Sequence, residues 1–203
     1  MEFLADPEQL RECYEPAMER AVLKSLPRLD EHCRRFIALS PFLCMGTSSK
    51  AGADVTPRGD RPGFVKVLDD VTLALPDWRG NNRLDALTNI VENPQVGLLF
   101  LIPGVDETLR VNGVARVTTE RGIVEQWCVN SHHPKSALVV KVEEAFLHCG
   151  KALIRSHLWD GTYQVDRAVL PSYGKMLKDQ IAVSDTAEQI EQSVAEAYRT
   201  KLY

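Results

Sequence analysis

Between Pro41 and Gly150 the chain breaks into short strand-like segments separated by turn residues, and this limits it to a small set of β architectures. QVGLLFLIPG (95–104) is an apolar run of buried-strand length. ETLRVNGVARVTT (107–119) alternates and continues the sheet, and SALVVKVEEAFLHCG (136–150) reads as a long strand. PFLCMGTSS (41–49) is a short apolar strand ending in small residues. FVKVLDDVTLALPD (64–77) reads as two strands joined at Asp69-Asp70, a hairpin signal without a glycine. VTPRGDRPG (55–63) carries Pro57, Gly59, Pro62 and Gly63, so it suits an edge or an irregular segment better than a central strand. Six or seven such strands at close spacing point to a small barrel or sandwich.

Helical signals flank this region. Residues 6–38 read as helical, opening at Asp6-Pro7, with Leu29, Cys33, Phe36 and Ile37 on one face and a stop at Ser40-Pro41. WRGNNRLDALTNIVENP (78–94) is a loop and then a helix with Leu84, Leu87 and Ile90/Val91 on one side. TERGIVEQWCVN (119–130) and KALIRSHLW (151–159) read as helices, and the last helix starts at an N-cap Ser184 with Glu188 in its first turn. No internal repeat or low-complexity linker interrupts the chain. It is read as a single domain, 1–203, with an N-terminal helical arm (1–40), a barrel (41–170) and a C-terminal helical tail (171–203).

Composition excludes several classes. With 24 Lys and Arg against 28 Asp and Glu, the net charge of −4 argues against a general nucleic-acid binder, which needs a basic face. No apolar run approaches the ~20 residues of a membrane helix, and the acidic, polar N-terminus lacks the layout of a secretory leader. The five cysteines are odd in number and contain no CxxC pair, which fits reduced thiols and a cytoplasmic location. His132-His133 and His148-Cys149 lack the local ligand pairs of a zinc site, so no metal is expected.

Against this acidic background, cations collect in three places. Arg58, Arg61 and Lys66 surround a turn; RGNNR (79–83) stands immediately before a helix; Lys151 and Arg155 lie four apart in HCGKALIRSHLW (148–159). Amides at a helix start favour an anion. Arginine offers a phosphate planar, bidentate and permanently charged recognition. Plainer readings exist. Arg79 and Arg83 suit weak surface pairs with Asp77 and Asp85, and Lys151 and Arg155 suit covering apolar surface with their stems. Cys149 reads as a reactive thiol beside Lys151 or, more simply, as a buried strand end. Trp78, Trp127 and Trp159 suit core or interface anchors.

The ordered set PFLCMGTSS, TPRGD, F-V strand, RGNNR with its helix, NPQVGLLFLIPG and RVNGVA, over residues 41 to about 117, resembles the pyridoxamine 5'-phosphate oxidase-like flavoproteins. HCGKALIRSHLW resembles the C-terminal motif of one uncharacterised subgroup. The resemblance implies a mainly β fold with flanking helices, the FMN-binding split β-barrel. It implies a homodimer with FMN in a groove shared by two chains, a small-molecule substrate, and no nucleic-acid or membrane partner. It places Arg58 at the FMN phosphate, with Lys66 on the next strand and Asn82 and Arg83 as the basic pair that also holds the phosphate. Backbone amides of Val55 and Thr56 fall near the isoalloxazine. Thr108 falls where the biosynthetic oxidases carry a glutamine toward the flavin ring. Lys151, Arg155, Ser156 and Trp159 are read as contributions from the partner subunit. The C-terminus EQIEQSVAEAYRTKLY departs from the tryptophan- and arginine-containing segment with which the biosynthetic enzymes hold substrate. The expected activity is therefore FMN-dependent oxidoreduction on a substrate that the sequence does not name, with no acid–base triad and no assigned catalytic residue. The alternative is a non-enzymatic flavin- or haem-binding protein, with His148 as a candidate axial ligand. A third reading is an interaction barrel without a cofactor.

Overall fold

The computed structural model describes residues 1 and 3–203. Its strands are β1 (Phe42–Ser49), β2 (Gly52–Gly59), β3 (Lys66–Asp69), β4 (Thr72–Asp77), β5 (Gln95–Leu101), β6 (Thr108–Thr118) and β7 (Ser136–His148). They form one antiparallel sheet in the order β2-β1-β5-β6-β7-β4-β3. The proline- and glycine-containing segment takes the β2 edge, where the missing N–H of Pro57 costs the ladder least. The Asp69-Asp70 hairpin joins β3 to β4, with a register shift between Val67 and Asp69.

The pleat sorts the side chains. Leu43 and Met45 on β1, Leu98 and Phe100 on β5, Leu109 and Val111 on β6 and Val140 on β7 are all buried in one cluster. Truncating such a residue, Phe100→Ala for example, costs about 3–5 kcal/mol. Helix α3 (Glu31–Leu39) lies over this core; the Asp30 carboxylate caps it, accepting the Cys33 N–H at 2.8 Å, and Cys33, Phe36 and Ile37 are buried.

The arm is less continuous than its sequence suggests. Residues 6–38 hold three helices, α1 (Pro7–Glu12), α2 (Glu19–Leu23) and α3. The break before α3 has a tertiary cause: Leu26 pairs with Ala145 of β7 through two backbone hydrogen bonds of 3.0 and 2.8 Å, and Pro27 follows. Helix α4 (Asp85–Glu92) buries Ile90 and packs Leu87 against the core, as the expected stripe has it, adds Ala86, and leaves Leu84 and Val91 exposed. Asn89 and Asn93 pin it to β1, donating to the Thr47 and Ser48 hydroxyls at 3.1 and 2.8 Å. Only Arg121–Val124 of the 119–130 segment is helical (α5), and the Trp127 indole N–H then donates to the Phe64 carbonyl at 2.6 Å. Helix α6 (Lys151–Arg155) follows β7 directly.

The tail forms two helices, α7 (Tyr173–Gln180) and α8 (Ala187–Thr200). Thr186, not Ser184, is the N-cap of α8, because Thr186 and Gln189 stand at the spacing of a capping box and both of its bonds form. At Gly174 a Cβ would meet the Ala187 carbonyl at 2.3 Å, so the two helices approach closely only because that residue has no side chain. No helix among the described residues is long and apolar enough to cross a membrane.

Candidate functional site

The two margins of the sheet meet without pairing as strands. Strand β3 covers only the first half of β4, pairing as far as Ala74, and leaves Pro76 and Asp77 facing elsewhere. Arg58, near the end of β2, donates through Nη1 to the Asp77 carboxylate at 2.8 Å, so a salt bridge closes this seam. One residue beyond β4, the Trp78 indole N–H donates to Asp60 at 3.0 Å and repeats the closure. The Tyr203 hydroxyl donates to the other oxygen of Asp60 at 2.8 Å, and its ring stands edge-on to Trp78 with centroids 5.1 Å apart. The bond to Asp60 pushes the Tyr203 hydroxyl above its ordinary pKa.

A cleft of about 600 Å³ lies along this seam. Val55, Thr56, Arg58, Asn82 and Arg83, expected from the sequence at a phosphate, all line it. Arg79 and Lys135 line it too, giving four cations against the carboxylates of Asp54, Asp77 and Asp85. Lys135 was not singled out in the sequence; an isolated lysine before a strand carries no local signal, and only the fold brings it here.

Three features suit the cleft to an anion. The Nε of Arg58 is buried and has no partner among the described residues, although Nη1 is held by Asp77. A buried unpaired donor is costly and asks for an acceptor. The loop is strained: Asn82 and Leu84 both have φ of 61°, and for leucine a left-handed conformation costs about 1–2 kcal/mol. Finally, Leu84 is the N-cap of α4 and has no side-chain acceptor to offer, so the first N–H groups of this eight-residue helix open on the cleft without a cap. Arg83 is three-quarters exposed and reaches Asp85 at 2.8 Å, the surface pair expected from the sequence; Arg79 does not pair with Asp77, which Arg58 has taken.

The other predicted residues lie apart from this cleft. Lys66 turns to the Gly63 carbonyl, 3.1 Å away. Ser156 donates to the Leu153 carbonyl at 3.1 Å, and the Trp159 indole N–H donates to Val105 at 2.8 Å. Lys151 and Arg155 mark the two ends of α6 and are exposed. Cys149 is exposed rather than buried, because β7 ends at His148 and the chain leaves the sheet there.

Thr108 belongs to a second cleft of about 490 Å³, on the outer face of β1, β5 and β6. Val55 lines both clefts. Arg110, Asn112 and His148 join Thr108 here among mainly apolar walls. His148 has its pKa lowered, first by burial and then by Arg110 and Lys24. No cluster of metal-ligating side chains occurs among the described residues.

The family model described as pyridoxamine 5'-phosphate oxidase matches residues 29–149, well over half the chain. No curated protein matches significantly. Among solved structures, a HupZ variant from Group A Streptococcus aligns with a TM-score of 0.50 and 17% identity, over 59% of this chain and 99% of that one. A putative pyridoxamine 5'-phosphate oxidase from Lactobacillus delbrueckii aligns at 0.46 and 20%, over 60% and 95%. An FMN-binding protein from Syntrophomonas wolfei aligns at 0.43 and 14%, over 56% and 82%.

Proposed function

For a chain that belongs to the pyridoxamine 5'-phosphate oxidase family, we propose that the seam cleft holds FMN phosphate-first and that the protein is an FMN-dependent oxidoreductase. The observation that carries this reading is Arg58, whose buried Nε lacks a partner inside a cleft also lined by Asn82, Arg83 and the uncapped start of α4. FMN, when bound, supplies the electron-accepting and electron-donating chemistry. The chain's own residues bind and orient. Arg58 keeps Asp77 through Nη1 and offers Nε to a phosphate oxygen; Arg83 and Lys135 balance the remaining charge. The peptide groups of Val55 and Thr56, which line the same cleft, would meet the ring. A phosphate that is dianionic above about pH 6 outweighs the competing carboxylates.

The reading includes a homodimer. Lys151, Arg155, Ser156 and Trp159 stand outside the seam cleft of their own chain, and a two-fold axis would bring them to the partner's. It also takes the protein as cytoplasmic.

A visible absorption spectrum of the purified protein, repeated after adding FMN and removing the excess, tests the proposal. Two flavin bands that stay with the protein support it. A spectrum without flavin bands both times defeats it, and a sharp Soret band would point to haem instead. Oxidation of a reduced nicotinamide by the flavin-loaded protein separates an oxidoreductase from a non-enzymatic carrier.

A further inference from the structure

The second cleft has a chemistry of its own, and the strand register explains it. Directly opposed residues of antiparallel neighbours share a face. Val55 opposes Gly46, Gly46 opposes Gly97, and Gly97 opposes Asn112. One step along, Cys44 opposes Leu99, Leu99 opposes Arg110, and Arg110 opposes Phe146; Thr108 then opposes His148. All of these stand on the outer face of the sheet.

Two glycines side by side in central strands leave a hollow there. A glycine within a strand weakens it, and often marks a place where a ligand comes close. The protein's own packing does not require either one. A Cβ at Gly46 would meet only the Gly97 carbonyl oxygen at 3.8 Å, and a Cβ at Gly97 only the Asn112 side chain at 3.4 Å. A side chain at either position would instead fill the cleft.

One margin of the hollow is polar. Arg110 lies over the Phe146 ring, 5.0 Å from its centroid, and forms no ion pair among the described residues. The Glu144 carboxylate, whose charge Arg110 feels, is already engaged: it accepts from Ser25 and Asn112 at 2.5 and 2.7 Å, and those bonds, before Arg110, hold its pKa low. The Thr108 side chain, in a residue only 2% exposed, makes no hydrogen bond of its own among the described residues. The opposite margin is Leu99, Leu101, Val55 and Leu153.

We infer that this outer-face cleft binds a flat, apolar organic acid, its ring on the Gly46–Gly97 hollow and its carboxylate at Arg110 and the Thr108 hydroxyl. Arg110 meets the carboxylate through its guanidinium fork, which Phe146 orients from behind. Because Val55 lines both clefts, the acid sits beside the proposed flavin. Its role as substrate rests on the FMN reading; its binding does not.

The test uses 2-naphthoate and its neutral isostere 2-naphthamide, titrated calorimetrically into the protein with and without FMN. Naphthoate is expected to bind at least tenfold more tightly than naphthamide. Arg110→Gln should abolish that preference and keep naphthamide binding, while Gly97→Val should block both ligands and leave the melting temperature near that of the parent. Equal binding of acid and amide, or a preference that survives Arg110→Gln, overturns the inference. So does a Gly97→Val protein that still binds naphthoate but changes its oligomeric state, since the face would then belong to a second copy of the chain. Flavin retention by each variant keeps the two readings apart: Arg58→Ala should lose FMN and keep naphthoate.

Discussion

The two clefts share Val55 and are built in opposite ways. The seam cleft is polar, and its walls join the edge strand β2 and the end of β4 to a strained loop, 78–84, and an uncapped helix start. The outer-face cleft lies on regular strands and is shaped by missing side chains at Gly46 and Gly97. The first spends conformational energy to hold charges that already oppose one another. The second gives up packing to keep a surface open. A site that recognises a highly charged group needs several donors at once, and loops supply these from distant positions. A site for a flat apolar body needs a smooth floor, and a sheet supplies that.

The largest test of this contrast is Arg58→Ala. Removing a charge-assisted contact from a half-enclosed site costs about 3 kcal/mol, so FMN affinity should fall about a hundredfold in a fluorescence-quenching titration. The melting temperature should fall as well, because Asp77 loses its only ion-pair partner among the described residues. Undiminished flavin binding would mean that the seam does not hold the phosphate.

Arg83→Ala should weaken FMN about tenfold with no change in melting temperature, since its side chain is three-quarters exposed and its pair with Asp85 contributes little. A loss of stability comparable to that of Arg58→Ala would show that the two arginines are not divided between closure and binding.

Tyr203→Phe removes one hydrogen bond to Asp60 but keeps the ring against Trp78. A net loss of about 1 kcal/mol, felt through the loop that starts at Trp78, should speed FMN release about fivefold in stopped flow. Naphthoate binding at the outer face should not move. An equal effect on both ligands would mean that Tyr203 acts on the whole fold.

The smallest effect is expected from Glu144. The Glu144 carboxyl is held below its ordinary pKa by Ser25, then Asn112, then Arg110. A depressed carboxylate adds stability that is complete above the unfolded value, about 4, and disappears as the pH falls through the lower folded value. Glu144→Gln should therefore lower the melting temperature slightly at neutral pH and flatten the acid limb, so that the two profiles converge as the pH falls through the folded value. A difference that persists undiminished in acid, where the carboxyl is protonated, would assign Glu144 a packing role instead.

Much of the seam cleft was legible in the sequence because its signals are local. Arg58 beside a proline turn and RGNNR before a helix are composition facts that survive any packing. Lys135 and Tyr203 were not legible: one is an isolated lysine, the other lies 143 residues from the Asp60 it touches. The outer-face cleft was hidden for a different reason. Gly46, Gly97, Arg110 and His148 come from four strands, and a slip of one residue in any pairing would turn a side chain to the opposite face.

By itself, then, the sequence determined the strands, their edge and hairpin, the buried helical face of Cys33, Phe36 and Ile37, and the basic loop, because alternation, proline, glycine and charge act within a few residues. Tertiary structure decided where the arm breaks at Leu26, which residue of Thr186 and Ser184 caps the last helix, how Arg58 divides its donors, and which glycines share a hollow. Those outcomes depend on partners far away in the chain, and the register of seven strands is what brings them together.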